Sequence, residues 1–386
     1  MNNVGEVENC AGCYACANVC PKECIIYRQD EKGFSYPIID YNKCINCGRC
    51  LKACAQVKDV QKSLPKISYA LKHKSAQVRF NSTSGGAFTV ISDYILDSQG
   101  LVYGATMKEN YNVEHIVVHN KSQRDLLRKS KYLQSDLSNI YKDVLEKLKS
   151  GKKVLFTGTP CQVAGLKTFL NKDYDNLFTC DVICHGVPSK DVFKQYIKLK
   201  ENENKQQVES LDFRTKKFGQ KAAINIKFNE KEYVRIFETD EFGVLFTGGY
   251  IMRDSCYNCK YATKERVSDI TIGDFWGIDK IVPDFDDNKG VSMVLINTDK
   301  GKLIFKSIKE KIDFLEIPLQ QCVELQEQLQ FPIKKAKVYD EFWKEYNNNK
   351  EKSINKYSNK IILKNRVISI AKKTGLLKVY LKIKNN

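Results

Sequence analysis

Eight of the cysteines in the first 54 residues obey one spacing, written twice. Cys10, Cys13, Cys16 and Cys20 run Cys-x2-Cys-x2-Cys-x3-Cys, and Cys44, Cys47, Cys50 and Cys54 repeat the run. Three thiolates two residues apart wrap one corner of a cubane 4Fe-4S cluster with a single tight loop. The fourth ligand then has to come from elsewhere, and in paired runs the last cysteine of each crosses to the other cluster. The spacing therefore ties two loops into one module. It assigns Cys10, Cys13, Cys16 and Cys54 to one centre and Cys44, Cys47, Cys50 and Cys20 to a second. Pro21 follows Cys20 as the motif expects, whereas Ala55 follows Cys54. The stretch Phe34-Ser-Tyr-Pro-Ile-Ile-Asp40 reads as a strand joining the halves.

This is the ligand run of a bacterial two-cluster ferredoxin, and it says that the chain handles electrons. Zinc modules use two pairs of ligands rather than two runs of four. A disulfide framework suits short secreted chains, and no secretory start precedes these cysteines. Cys24 lies outside both runs and reads as a buried small residue.

At 386 residues the chain is too long for a ferredoxin alone, and length points to about two or three domains. No apolar run approaches the ~20 residues of a membrane span. The expected compartment is the reducing cytoplasm. Formal net charge is +17, unevenly placed. Residues 1–60 balance seven basic against seven acidic side chains, while residues 352–386 hold ten basic and no acidic ones. Basicity is thus largely a property of the tail, and with no nucleic-acid-binding signature present, no nucleic-acid partner is expected.

Beyond a linker at Gln61 to Pro65, helices and strands alternate. Ser84-Gly-Gly86 precedes an apolar-periodic helix over 87–96, with Ser84 as the expected N-cap. Strands are expected over 101–105, 114–119, 154–158 and 177–183, helices over 138–149, 163–170 and 190–200, and a hairpin over 224–228 and 233–237. Such alternation argues an α/β core with some parallel pairing.

The later cysteines sit at meaningful places. Cys161 lies where a strand gives way to a helix, Cys184 at the end of the next strand, and Cys256 and Cys259 form a Cys-x2-Cys loop. Ligands of α/β sheets bind beyond the carboxyl ends of strands. These four thiols suit a third 4Fe-4S cluster, a zinc ion, or no metal at all. Cys180 and Cys322 read as packing residues.

Six segments together carry a family resemblance: Ser84-Gly-Gly86, Ser130-Lys-Tyr-Leu-Gln-Ser135, Gly158-Thr-Pro-Cys-Gln162, Cys184-His-Gly-Val-Pro-Ser189, Ser255-Cys-x2-Cys259 and Gly273-Asp-Phe-Trp-Gly277. From about Cys10 to Pro332 the chain resembles the beta subunits of coenzyme F420 hydrogenases and dehydrogenases, with a ferredoxin-type extension. The resemblance implies an α+β fold: a two-cluster ferredoxin-like module over 1–60, then an α/β flavin-binding core with a mixed sheet over 66–150 and 151–332, then a basic helical tail over 333–386. It implies that Cys161, Cys184, Cys256 and Cys259 hold the third cluster, and that FAD lies beside it. Ser84, Gly85 and Gly86 at a helix start would hold the pyrophosphate, with Ser130, Lys131, Tyr132, Gln134 and Ser135 nearby and Gly158 and Thr159 against the ring or ribityl chain. His185 is the candidate proton donor, with support of the cluster as its plainer role.

The expected activity is flavin-dependent electron transfer between a ferredoxin or other redox protein and a two-electron acceptor, a small molecule or a glycan-related compound. Similar proteins occur beside surface-polysaccharide genes, which makes polysaccharide biosynthesis the expected setting. The alternatives are an electron-transfer subunit of a larger reductase and a non-catalytic scaffold in a glycan-assembly complex. In the tail, Ile361-Ile-Leu363, Val367-Ile368, Ile370-Ala371 and Leu376-Leu377 alternate with lysines, and Gly375 interrupts the expected helix. This pattern suits a helix on an anionic membrane surface, at the inner face, or one packed on its own domain.

Overall fold

The computed structural model describes residues 3–374. Its strands are Ile25–Gln29 (β1), Ser35–Ile39 (β2), Ile67–His73 (β3), Leu101–Met107 (β4), Val113–Val118 (β5), Val154–Gly158 (β6), Leu177–Val182 (β7), Val208–Asp212 (β8), Ala223–Phe228 (β9), Glu232–Ile236 (β10), Ile270–Asp274 (β11), Ser292–Ile296 (β12) and Ile312–Glu316 (β13). Two compact units share them. The first takes the residues up to Asp30, Phe34–Val187 and Arg253–Ile333; the second takes Glu31–Gly33, Pro188–Met252 and the chain from Lys334.

The first unit is built on an eight-stranded mixed sheet of order β13-β3-β12-β11-β7-β6-β4-β5. Its centre, β4, β6, β7 and β11, is parallel, and the flanking pairs are antiparallel. Of the central strands, β4, β6 and β7 open on short apolar stretches because both faces are covered there. In β6, Leu155 joins a core with Val90, Ile91 and Ile95 of the Ala87–Asp97 helix. Its neighbours Val154 and Phe156 join the opposite core with Tyr141, Val163 and Leu166. That second face also takes Cys13, Tyr14, Ala15 and Ala55, so the cysteine-rich segment packs on the sheet's helix layer. Cys180 and Cys322 are buried in cores, as packing residues should be.

The cysteine-rich segment is a structural repeat. β1 pairs antiparallel with β2, Ile25 opposite Ile39. Gly12 and Asn46 take positive φ of 64° and 52°, and Tyr14 and Gly48 follow at 64° and 67°. Each pair sits at the same offset in its run, and Tyr14 and Gly48 each open a short helix, Ala15–Val19 and Arg49–Lys52.

Two local expectations need correction. Ser84 does not cap the following helix: its hydroxyl donates to the Val291 carbonyl, and Gly86, at φ 94°, is the N-cap. The Gln61–Pro65 linker is tied down, with Ser63 bridging Arg266 in both directions.

In the second unit β8, β9 and β10 form an antiparallel meander beside the Lys190–Asn204 and Glu241–Thr247 helices. Phe193, Tyr196, Phe213 and Phe242 interlock as its aromatic core. The basic tail forms the helix Lys350–Lys373, which buries Ile354, Tyr357 and Ile362 and leaves Leu363, Val367 and Ile370 exposed. Gly375 and Leu376-Leu377 lie outside the described residues. Among the described residues no helix is long and apolar enough to cross a membrane.

Candidate functional site

The twelve cysteines gather into three groups, all in the first unit. Cys20, Cys44, Cys47 and Cys50 line one pocket of about 380 Å³, open to solvent. Cys24 lines it too, its Sγ 3.3 Å from that of Cys20. Burial, then the contact with Cys20, pushes the Cys24 thiol up to about 12. A residue expected to be mere packing thus stands in the wall of the pocket.

Cys10, Cys13, Cys16 and Cys54 are neighbours of one another. Burial pushes Cys16 up to about 12, and Cys10 and Cys54 add to it electrostatically. Cys13 and Cys54 are also raised by burial first. The Tyr27 hydroxyl lies 3.3 Å from Cys16 Sγ, and its ring stacks on Tyr14 at 3.8 Å.

The third group follows from strand register. β6 and β7 are parallel with Gly158 opposite Asp181. Cys161 and Cys184 each lie three residues past those partners, so both emerge at the same sheet edge. The Cys256 and Cys259 loop is fastened there, because Arg253 N–H donates to the Val187 carbonyl at 2.8 Å and Val187 N–H points at Cys256 Sγ at 3.4 Å. Together the four thiols line a pocket of about 610 Å³, mouth included, with His185, Tyr261, Gln328 and Ala11. Burial raises all four, Cys161 to about 11 and Cys256 to about 12. Without metal they remain thiols at neutral pH, so loading the site expels protons.

One helix links the first and third groups. Pro160–Leu170 starts at a capping box formed by Thr159 and Gln162 and carries Cys161 in its first turn. Gly165 lies one turn on, the same face and ~6 Å along. A Cβ there would stand 2.9 Å from Cys13 Sγ and 3.0 Å from the Tyr141 hydroxyl. Glycine is what lets the helix touch the first cysteine loop.

Arg253 is the residue the sequence left without a role. It is fully buried (0% exposed) and stacks on Tyr36 at 4.1 Å. Its guanidinium donates to the Cys10 carbonyl at 2.7 Å, Gln134 Oε1 at 2.9 Å and the Ser35 carbonyl at 2.8 Å. Gln134 in turn donates to the Ala11 and Gly12 carbonyls. Only adjacency to Cys256 hinted at this clamp.

The expected flavin residues fall in two places. Ser130 N–H donates to Thr83 Oγ1, which brings the 130 segment to the Ser84–Gly86 turn. There no side chain caps the Ala87–Asp97 helix, the buried Thr89 hydroxyl has no partner, and Arg128 is half-buried. Gly85 N–H, however, is held by Ser292 Oγ. Lys131 donates to the Leu126 and Arg128 carbonyls, and Tyr132 is half-buried. Ser135, Gly158 and Thr159 lie instead around Gln162, with Thr159 Oγ1 3.1 Å from Cys161 Sγ. His185 lines the third pocket with Nδ1 3.3 Å from Gln328 Nε2.

Two stretches of the chain match known protein families. Residues 9–57 match the 4Fe-4S dicluster domain. Residues 151–320 match the family described as the C terminus of the beta subunit of coenzyme F420 hydrogenase/dehydrogenase. An uncharacterised protein of Methanocaldococcus jannaschii is 28% identical over 205 residues, 45% of this chain and 56% of that protein. The coenzyme F420-dependent sulfite reductase of the same organism is 24% identical over 345 residues, 82% of this chain and 49% of that enzyme. The chain therefore spans about half the length of these curated relatives. A chain of the F420-reducing NiFe hydrogenase complex of Methanosarcina barkeri aligns with TM-score 0.47 and 15% identity, covering 76% of this chain and 91% of that one. These matches define an iron–sulfur protein of oxidoreductase type. Residues 9–57 match a 4Fe-4S dicluster domain and residues 151–320 the C-terminal region of the family that the motifs resemble.

Proposed function

We propose that the chain is a flavo-iron–sulfur oxidoreductase that passes electrons between a ferredoxin-type donor and a two-electron acceptor. The observation that carries this is the continuous path of thiols, from the open second pocket through the first loop to the Cys161 helix. The donor sets are all cysteine, and those of the second and third groups are spread along the walls of pockets of about 380 and 610 Å³. Such a spread suits a cubane, where every thiolate meets a different iron, better than one zinc with sulfurs at about 2.3 Å. Cys10, Cys13, Cys16 and Cys54 would hold one 4Fe-4S cluster, Cys20, Cys44, Cys47 and Cys50 another, and Cys161, Cys184, Cys256 and Cys259 the third.

The turn around Ser84 to Gly86, with Ser130, Thr89 and Arg128, suits the phosphates of FAD, because uncapped helix amides and basic side chains attract anions. A bound flavin supplies the conversion between one-electron and two-electron steps. Arg253 and Gln134 hold the Cys10–Gly12 loop against the third pocket, and Thr159 and Gln162 fix the start of the helix that bears Cys161. His185, at the pocket wall with Nδ1 3.3 Å from Gln328 Nε2, is the candidate proton donor. The acceptor that the resemblance implies is a small molecule or a glycan-related compound.

Anaerobic purification followed by iron, sulfide and flavin assay tests this. About twelve irons and one FAD per chain are expected; about eight irons without flavin would overturn it. The second reading is an electron-transfer subunit of a larger reductase. In that case turnover requires a second polypeptide.

A further inference from the structure

The three thiol groups differ in their access to solvent. In the first group Cys13, Cys16 and Cys54 are buried and Cys10 half-exposed, in the third all four are half-exposed, and in the second Cys20 is buried, Cys44 and Cys50 are half-exposed and Cys47 alone of the twelve is exposed. Ile45 stands beside them 58% exposed, an apolar side chain in the pocket wall with Lys22 and Arg49. Residues 41–58 carry four basic side chains (Lys43, Arg49, Lys52 and Lys58) and no acidic one. Of the carboxylates flanking this stretch, Asp40 pairs with Lys43 at 3.6 Å and Glu23 with Lys142 at 2.7 Å, and Asp59 follows Lys58. A cationic rim around an apolar, solvent-facing electron site is the complement of an acidic protein surface.

We propose that the mouth of the Cys20, Cys44, Cys47 and Cys50 pocket is the docking surface for an acidic one-electron carrier protein, and that the second centre is where electrons are exchanged with it. This rests on the cluster reading above and adds the face, the centre and the charge of the partner. The step is a single electron transfer. The reduced carrier loses one electron, the outer centre gains it, and no bond or proton changes hands. Electron transfer weakens steeply with distance, so the centre that holds the exposed Cys47 outcompetes the other two for a bulky donor.

The test uses the full chain, purified anaerobically with its clusters, and stopped-flow bleaching of the cluster absorbance. The probes are a reduced, strongly acidic two-cluster ferredoxin and, separately, dithionite. Lys43→Glu/Lys52→Glu reverses two exposed charges, neither of them in the wall of the pocket. The second-order rate with the acidic carrier should fall about tenfold or more at low ionic strength, and the wild-type rate should fall as salt rises. Dithionite reduction should change less than about twofold, because a small reductant needs no docked orientation. Unaltered carrier rates in a fully iron-loaded variant, or a wild-type rate indifferent to salt, would overturn the surface alone. An N-terminal module that holds fewer than about eight irons would overturn the cluster reading as well.

Discussion

A buried guanidinium whose three hydrogen bonds all end on neutral oxygens is costly to keep, so Arg253 must return something for its desolvation. Its charge lies between two groups of thiols and favours the ionised form of Cys161 and Cys256. Anionic clusters at those groups would be stabilised in their reduced, more negative state. At ~8 Å and an effective dielectric of about 20 the attraction is about 2 kcal/mol, on the order of 80 mV for one electron. Arg253→Gln should therefore lower the midpoint potentials of the first and third centres by tens of millivolts in an EPR-monitored titration. Arg253→Lys should keep the potentials but lose the fork to Cys10 and Ser35, at about 2 kcal/mol of stability in thermal unfolding. Asp240 offers a contrast. It caps the Glu241–Thr247 helix through Gly243 N–H and accepts from the Tyr196 hydroxyl. Burial, with the neighbouring Glu241 next, pushes its carboxyl up to about 6. The folded chain thus holds this proton more tightly than the unfolded chain, where the pKa is about 3.9. Its contribution is fully present below pH ~4 and is lost as pH rises through ~6. Asp240→Asn keeps an acceptor for the cap, so it should stabilise the fold by about 2 kcal/mol at pH 8. The gain should shrink toward pH 5.5 in paired melting curves.

At the scale of elements, the Pro160–Leu170 helix carries the closest constraint. Gly165→Ala places a methyl 2.9 Å from Cys13 Sγ and 3.0 Å from Cys13 Cβ. Neither a cluster loop nor a buried tyrosine yields easily, so a cost of about 1–3 kcal/mol is expected. The methyl strikes a ligand loop, so iron retained after gel filtration should fall with it; Gly151→Ala, with nothing within 4 Å, is the matched glycine control, although its φ of 79° adds backbone strain. This helix was legible in the sequence from Val163 onward, but its first turn was not. Pro160 reads as a breaker until Thr159 and Gln162 are seen to form a capping box around it. The central strands β6 and β7 were legible because each opens on an apolar stretch, Val154-Leu-Phe156 and Leu177-Phe178. β3, β11, β12 and β13 were missed for a physical reason: they meet the sheet from distant sequence, and β11 carries Thr271, Gly273 and Asp274 where an apolar run would announce a strand. The doubled cysteine run declared its chemistry, since ligand spacing is local information. The Arg253–Gln134 clamp did not, because nothing in either residue's neighbourhood specifies a partner 119 positions away.

Across the whole molecule, chemistry and basicity are segregated. Every cysteine of the three groups belongs to the first unit, whereas the tail helix and its lysines belong to the second. In the cysteine-rich segment the regular structure is small: a two-stranded hairpin and helices of five and four residues. So few hydrogen-bonded turns supply little stability of their own. Metal–thiolate bonds become folding free energy wherever the apolar core is this small. The consequence is regional. Stripping iron with a chelator under reducing, anaerobic conditions should cost the segments 10–58 and 253–262 their slow amide exchange. The loop after Cys184 should follow, because it is fastened to Cys256 through Val187. The strands β9 and β10 and the Lys190–Asn204 helix hold no cysteine and rest on an aromatic core, so they should exchange as before. Hydrogen exchange read by mass spectrometry separates these regions in one experiment. Uniform deprotection of both units on chelation would show that the clusters stabilise the chain as a whole. Unchanged protection at 10–58 would show that they stabilise none of it and serve only as carriers of charge.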